Sequence, residues 1–276
     1  MPPNEPTWRE AVAREFSYVS GAASAAAPRA VAVESPVNLV FGGVPFAVMM
    51  ATPADLEDFA YGFCLTEGIV ERVADIRAVE VERTPDGLRL NVALASERLA
   101  AHLARGRAMS GRTGCGICGI ADLASLPKPR AAPKRATPVA PAAIGAALRA
   151  LEARQPLNDA TRAVHAAAWC DREGTILCVR EDVGRHNALD KAIGAMARAG
   201  ADPLQGFFVI TSRCSFEMVA KAAAFGAQTL VALSAPTSLA LERARDCGVT
   251  LVAVARRDHA LSLAFAETSS KGGLAA

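Results

Sequence analysis

Two cysteines separated by two residues, Cys115 and Cys118, stand among Gly111, Gly114, Gly116 and Gly119 in the stretch SGRTGCGICG. Glycines permit backbone angles closed to other residues, so the pair is predicted to lie on a conformationally free loop. A structural zinc site needs four ligands, and the chain supplies neither a second C-x-x-C nor a paired histidine motif. A thioredoxin-type redox motif opens a helix after a strand, without glycines on both sides. A reactive thiol on a mobile loop is suited to accepting a group at one surface and delivering it at another, and Arg107 and Arg112 lie near enough in sequence to favour the nucleophilic thiolate. A zinc-linked dimer drawing Cys115 and Cys118 from two chains, and an exposed pair without chemistry, are the other readings of the same residues.

Two further polar runs stand where a strand gives way to a helix. The first, Arg180-Glu181-Asp182-Val183-Gly184-Arg185-His186-Asn187-Ala188-Leu189-Asp190-Lys191, offers His186 between candidate charged partners, with Asn187 as an N-cap candidate and Asp190 in the first turn. The second, Thr211-Ser212-Arg213-Cys214-Ser215-Phe216-Glu217, brings hydroxyls and an arginine to a helix N-terminus, a seat suited to phosphate, with Ser215 as the predicted N-cap. Cys214 is expected to face the core. No Walker loop, dinucleotide fingerprint, G-x-S-x-G elbow, H-E-x-x-H helix or zinc-deaminase signature is present, which removes the commonest nucleotide-hydrolysis, dehydrogenase, hydrolase and metalloenzyme readings.

These residues need a scaffold. The chain has 276 residues, 51% hydrophobic and 21% charged, enough for one large core or two small ones. Thirty basic against 28 acidic residues leave +2, which does not favour wholesale binding of nucleic acid or of a membrane. With no apolar run of spanning length and no apolar leader, the chain is expected to be soluble and cytoplasmic. Seven cysteines do not suggest a secreted disulfide framework.

Residues 1–28 lack a sustained period and are expected to form a flexible arm. An α+β part over 29–121 follows, with a strand Arg29–Leu39, a glycine turn, a partner strand to Ala51, a helix to about Glu67, a hairpin over Ile76–Leu94 and a short helix from Ser96. Residues 122–141, rich in proline and basic residues, read as an exposed connector. Over 142–264, apolar strands alternate with amphipathic helices, predicting a three-layer α/β domain on a mixed sheet, and 265–276 read as a flexible tail. Ligands of such sheets gather beyond the carboxyl ends of the strands. Arg180, Arg185, His186, Ser212, Arg213, Ser234, Thr237 and Arg256 all fall at those ends.

Five landmarks in order, RTGCGICG at 112–119, HAAAWC at 165–170, REDVGRHNALDK at 180–191, TSRCSFEMVAKAA at 211–223 and SAPTSLALERARDCGVTLVAVAR at 234–256, make the chain resemble the formate dehydrogenase accessory sulfurtransferases, the FdhD/NarQ family, over roughly residues 30 to 260. The resemblance implies a cytidine deaminase-like core without zinc ligands. It implies a sulfurtransferase that takes sulfur from a cysteine desulfurase as a persulfide, with Cys115 the carrier and Cys118 its partner, and passes it to the molybdenum cofactor before insertion into the formate dehydrogenase catalytic subunit. The cofactor in its bis-guanine dinucleotide form would be a bound substrate, with no permanently bound metal. The family's contact segment after the last strand corresponds to Val254, Ala255, Arg256, Arg257, Asp258 and His259, where this chain departs from the family's usual Lys-Pro-Gly-Arg type turn. A homodimer is compatible with the resemblance. The alternative is a cofactor-binding chaperone that docks to formate dehydrogenase without carrying sulfur.

Overall fold

The computed structural model describes residues 5–100, 138–256 and 258–263. Cys115, Cys118, Arg257, the connector up to residue 137 and the tail from 264 lie outside the described residues.

The predicted N-terminal arm differs from what is found. Strand β1 (Trp8–Ala13) pairs antiparallel with β2 (Ala27–Ala32) through six registered pairs from Trp8↔Ala32 to Ala13↔Ala27. Both strands are almost wholly exposed, so no face imposes an apolar period and nothing in the sequence marks them as strands. The expected single strand over 29–39 is likewise two, because the chain leaves the ribbon after Ala32 and enters a sheet as β3 (Ser35–Phe41).

That sheet has four strands in the order β4-β3-β6-β5, where β4 is Val44–Ala51, β5 Ile76–Thr84 and β6 Gly87–Leu94. Gly42 and Gly43, with φ of 55° and 80°, make the β3–β4 turn, the positive angles a tight hairpin requires. Alternate residues of β4 and β6 point inward, and Leu39, Phe41, Met49, Leu90 and Val92 pack there against Phe59, Ala60 and Phe63 of helix α1 (Leu56–Thr66). Burying each such large side chain contributes about 1.5–3 kcal/mol.

The second sheet has six strands in the order β12-β11-β10-β9-β7-β8: β7 His165–Asp171, β8 Ile176–Asp182, β9 Gly206–Ile210, β10 Thr229–Ala232, β11 Thr250–Ala253 and β12 Leu261–Ser262. Strands β9, β10 and β11 run parallel, β7 is antiparallel to β9 and to β8, and the sheet is therefore mixed. Helix α2 (Pro141–Glu152) covers one face with Ile144, Ala147, Leu148 and Leu151. Helices α4 (Arg185–Arg198), α5 (Phe216–Phe225) and α6 (Ser238–Cys247) cover the other. The expected three-layer α/β arrangement is present. Two small elements were not anticipated: helix α3 (Pro156–Thr161), too short for a period to show, and the two-residue edge strand β12.

Helix α1, part of the first core, also packs on α4 of the second. Two glycines set that contact: a Cβ at Gly62 would lie 1.8 Å from the Asp190 carbonyl oxygen, and one at Gly194 would lie 1.9 Å from that of Asp58. Three ionic groups surround it. Asp58 accepts from Arg180 (Nη2, 2.8 Å) and Arg198 (Nη1, 2.6 Å). Asp182 pairs with Lys191 at 2.6 Å and accepts the Thr52 N–H at 3.0 Å. Lys221 reaches Asp190 (2.8 Å), Glu67 (3.0 Å) and the Thr66 hydroxyl (2.9 Å).

Candidate functional site

Because β8 is antiparallel to β7 and β7 to β9, the carboxyl ends of β8, β9, β10 and β11 fall on one rim, joined by the amino end of β7. The backbone there is continuous: Thr211 Oγ1 accepts from the Ala166 N–H (2.9 Å), Cys214 N–H donates to Ala235 O (3.2 Å), Thr237 N–H to Cys214 O (3.0 Å) and Val254 N–H to Ser234 O (3.2 Å). Val254 has φ of 50°, an angle costly for a β-branched residue, at the point where the chain turns off β11.

Helices α4 and α5 start side by side on this rim. His186 Nε2 lies 3.0 Å from Glu217 Oε2, which also accepts from Ser215 Oγ at 3.2 Å. One helical turn further in, Asp190 and Lys221 repeat the pairing with the acid on α4 and the base on α5, so residues i and i+4 of α4 face residues i and i+4 of α5 in a two-rung ladder. Burial pushes the Glu217 carboxyl up, but the hydrogen bond and charge of His186, the Ser215 hydroxyl and the charge of Arg185 together hold it below the usual carboxylate range. His165, at the start of β7, is shifted down by burial and then by the nearby Arg185 and His186, against the pull of Asp182. Nothing in the sequence ties Glu217 and His165 to His186, since only the fold brings them together.

The structure divides the remaining expected site residues. Arg180 does not belong to the rim: its guanidinium reaches back to Asp58, with Asp55 at 3.5 Å, and holds α1. Asn187 is not the cap of α4, a position Gly184 takes. Its amide instead donates to Met50 O (2.8 Å) and Asp182 Oδ1 (3.0 Å). Asp190 lies buried inside α4 instead of in an exposed first turn. Ser215 is the cap residue of α5, but its hydroxyl goes to Glu217 and not to the helix backbone. Thr237 caps α6, accepting from the Ala240 N–H at 3.3 Å, and the Ser212 hydroxyl donates to Arg213 O at 3.0 Å.

Arg185 and Arg213 form no hydrogen bond or ion pair among the described residues, and Arg213 is exposed. Arg256 donates to the carbonyls of Leu233 and Ala255, while Asp258 and His259 pair at 2.7 Å on the surface. Ser234 and Ala255 line the inner part of the rim. Two uncommitted guanidinium groups beside two helix N-termini suit a multiply charged anion such as a diphosphate.

All five cysteines among the described residues are buried: Cys64, Cys170, Cys178, Cys214 and Cys247. Burial pushes Cys170 and Cys214 up to about 12, and Cys64 and Cys178 are also raised.

A model of the FdhD/NarQ family matches residues 32–267. "Sulfur carrier protein FdhD" of Xanthomonas axonopodis pv. citri is 48% identical over 248 residues, covering 90% of this chain and 88% of its own. The protein of the same name from Bordetella petrii is 48% identical over 230 residues, covering 83% of each chain. The fold is similar, with a TM-score of 0.73 and 25% identity over 93% of this chain and 96% of the other, to a crystal structure described as that of a formate dehydrogenase accessory protein from Desulfotalea psychrophila.

Proposed function

The chain belongs to the FdhD/NarQ family, and from that premise we propose that it is a sulfur carrier serving formate dehydrogenase, with Cys115 as the carrier thiol and Cys118 as its partner. One observation carries the choice of residues. Of seven cysteines, five are buried and four of these have raised pKa values, which suppress the thiolate that sulfur transfer requires. Cys115 and Cys118 remain.

In the first step the Cys115 thiolate attacks the terminal sulfur of a persulfide on a cysteine desulfurase. The donor's S–S bond breaks, its cysteine leaves as a thiolate, and Cys115 becomes the persulfide. The acceptor is the molybdenum cofactor in its bis-guanine dinucleotide form, a substrate destined for formate dehydrogenase. Its diphosphates would be held at the rim by Arg185, Arg213 and Arg256, among the hydrogen-bonding groups at the starts of α4 and α5.

The test is to incubate the protein with a cysteine desulfurase and radiolabelled cysteine and to map the label. Label on the 112–119 peptide that disappears in Cys115→Ala supports the assignment. Label that persists in this variant moves the carrier role to another residue. Unlabelled wild-type protein that still activates formate dehydrogenase favours a cofactor-binding chaperone.

A further inference from the structure

We infer that the rim between β8 and β9 is a proton-linked anion site: a diphosphate-bearing ligand enters together with one proton, which His186 takes up. The inference rests on the reading of this rim as the seat of the cofactor's phosphates, and adds to it how the charge is balanced.

His186 is 8% exposed, and its Nε2 faces Glu217. With that proton donated to the carboxylate, Nδ1 carries a lone pair and has no partner among the described residues. The groups around it are few. Glu217 faces it from α5, with the Ser215 hydroxyl bonded to that carboxylate; the charge of His186 is felt by His165 on β7, Arg185 precedes it on α4, and Arg213 lies exposed ahead of α5. Asp182 on β8 is spent on Lys191, Thr52, Asn187 and the Gly184 N–H, and the Asp190–Lys221 rung one turn away closes on itself.

The charges decide the outcome. With His186 neutral, Arg185 and Arg213 against Glu217 leave one positive charge, fewer than the negative charges a diphosphate carries. Protonation at Nδ1 adds one positive charge while Nε2–H stays on Glu217, so the ligand and the carboxylate both favour the imidazolium. His165 does not compete for the proton, because burial and the charge of Arg185 favour its neutral form. Glu217 stays ionised throughout. The balance is simple: one proton leaves the buffer, one N–H bond forms on His186 Nδ1, and nothing is oxidised or reduced.

The test is calorimetric titration of the whole chain with inorganic pyrophosphate at pH 7.5, in buffers of different ionisation enthalpy. The slope of apparent enthalpy against buffer enthalpy counts protons taken up. Wild type is expected to take up more protons than His186→Gln, by up to one, the ligand's own proton change being common to both. The wild-type affinity, relative to that of His186→Gln, should fall as pH rises, by up to about tenfold per pH unit. Glu217→Gln removes the competing negative charge. It is expected to bind at least as tightly as wild type with a smaller proton count, whereas a merely structural Glu217 would weaken binding on removal. If His186→Gln fails to fold, the Glu217→Gln result decides. Equal proton counts in wild type and His186→Gln, or weaker binding by a folded Glu217→Gln, overturn the inference and leave the phosphate seat standing. Failure of the wild type to bind pyrophosphate overturns both.

Discussion

Asp182 and Lys191 meet at 2.6 Å with both side chains at 0% exposure, and Lys191 also donates to Thr52 O at 2.9 Å. The pair lies where β8 turns into α4, yet its hydrogen bonds run to the end of β4 in the other sheet. A polar run that reads as a ligand-binding junction is thus largely a clasp between two halves of the molecule.

The first prediction concerns this clasp. Lys191→Met removes one member of a buried pair and strands a carboxylate away from water, a change that costs about 3–5 kcal/mol. Asp182→Leu combined with Lys191→Met should not restore wild-type stability, because the Thr52 and Gly184 N–H groups and the Asn187 amide would lose their acceptor. Chemical denaturation of the three variants checks both statements. A loss under 1 kcal/mol in Lys191→Met would contradict the burial described.

The division between clasp and rim marks what could be read in advance. Apart from α3 and β12, the strands and helices of the second sheet are legible because each is apolar throughout or periodic, and so is the gathering of Arg185, Ser212, Arg213 and Ser234 at the strand ends. The partners of Arg180 and Asp190 are not, since Asp58 and Lys221 are 122 and 31 residues away and a charge in a sequence does not say whom it faces. The β1–β2 ribbon was invisible for the opposite reason. With no buried face, it has no pattern.

A second prediction follows from the thiols. In the Cys115→Ser/Cys118→Ser chain, all remaining cysteines are buried, and four have raised pKa values. Labelling by an aromatic disulfide reagent at pH 8 should be limited by opening of the fold and become complete only in denaturant. Rapid reaction of any of the five in the native variant would contradict their burial.

The third prediction is a pH dependence. The Glu217 carboxyl is held below its ordinary value of 4.5 in the folded chain, so its ionised form stabilises the fold above that pH. This contribution is lost as pH falls through the lower folded value. The stability difference between wild type and Glu217→Gln should therefore shrink on acidification below the ordinary carboxyl value of 4.5. Denaturation series across pH 3–6 measure it. A difference that grows toward acid would reverse the sign and disprove the pairing with His186.

The glycine contact between α1 and α4 has a mechanical consequence. With Gly62 against the Asp190 carbonyl and Gly194 against that of Asp58, the two helices touch backbone to backbone, and a slide by one turn would drive side chains into the space only hydrogen atoms now fill. The four-stranded and six-stranded sheets are thereby geared together, so neither can tilt without carrying the other along.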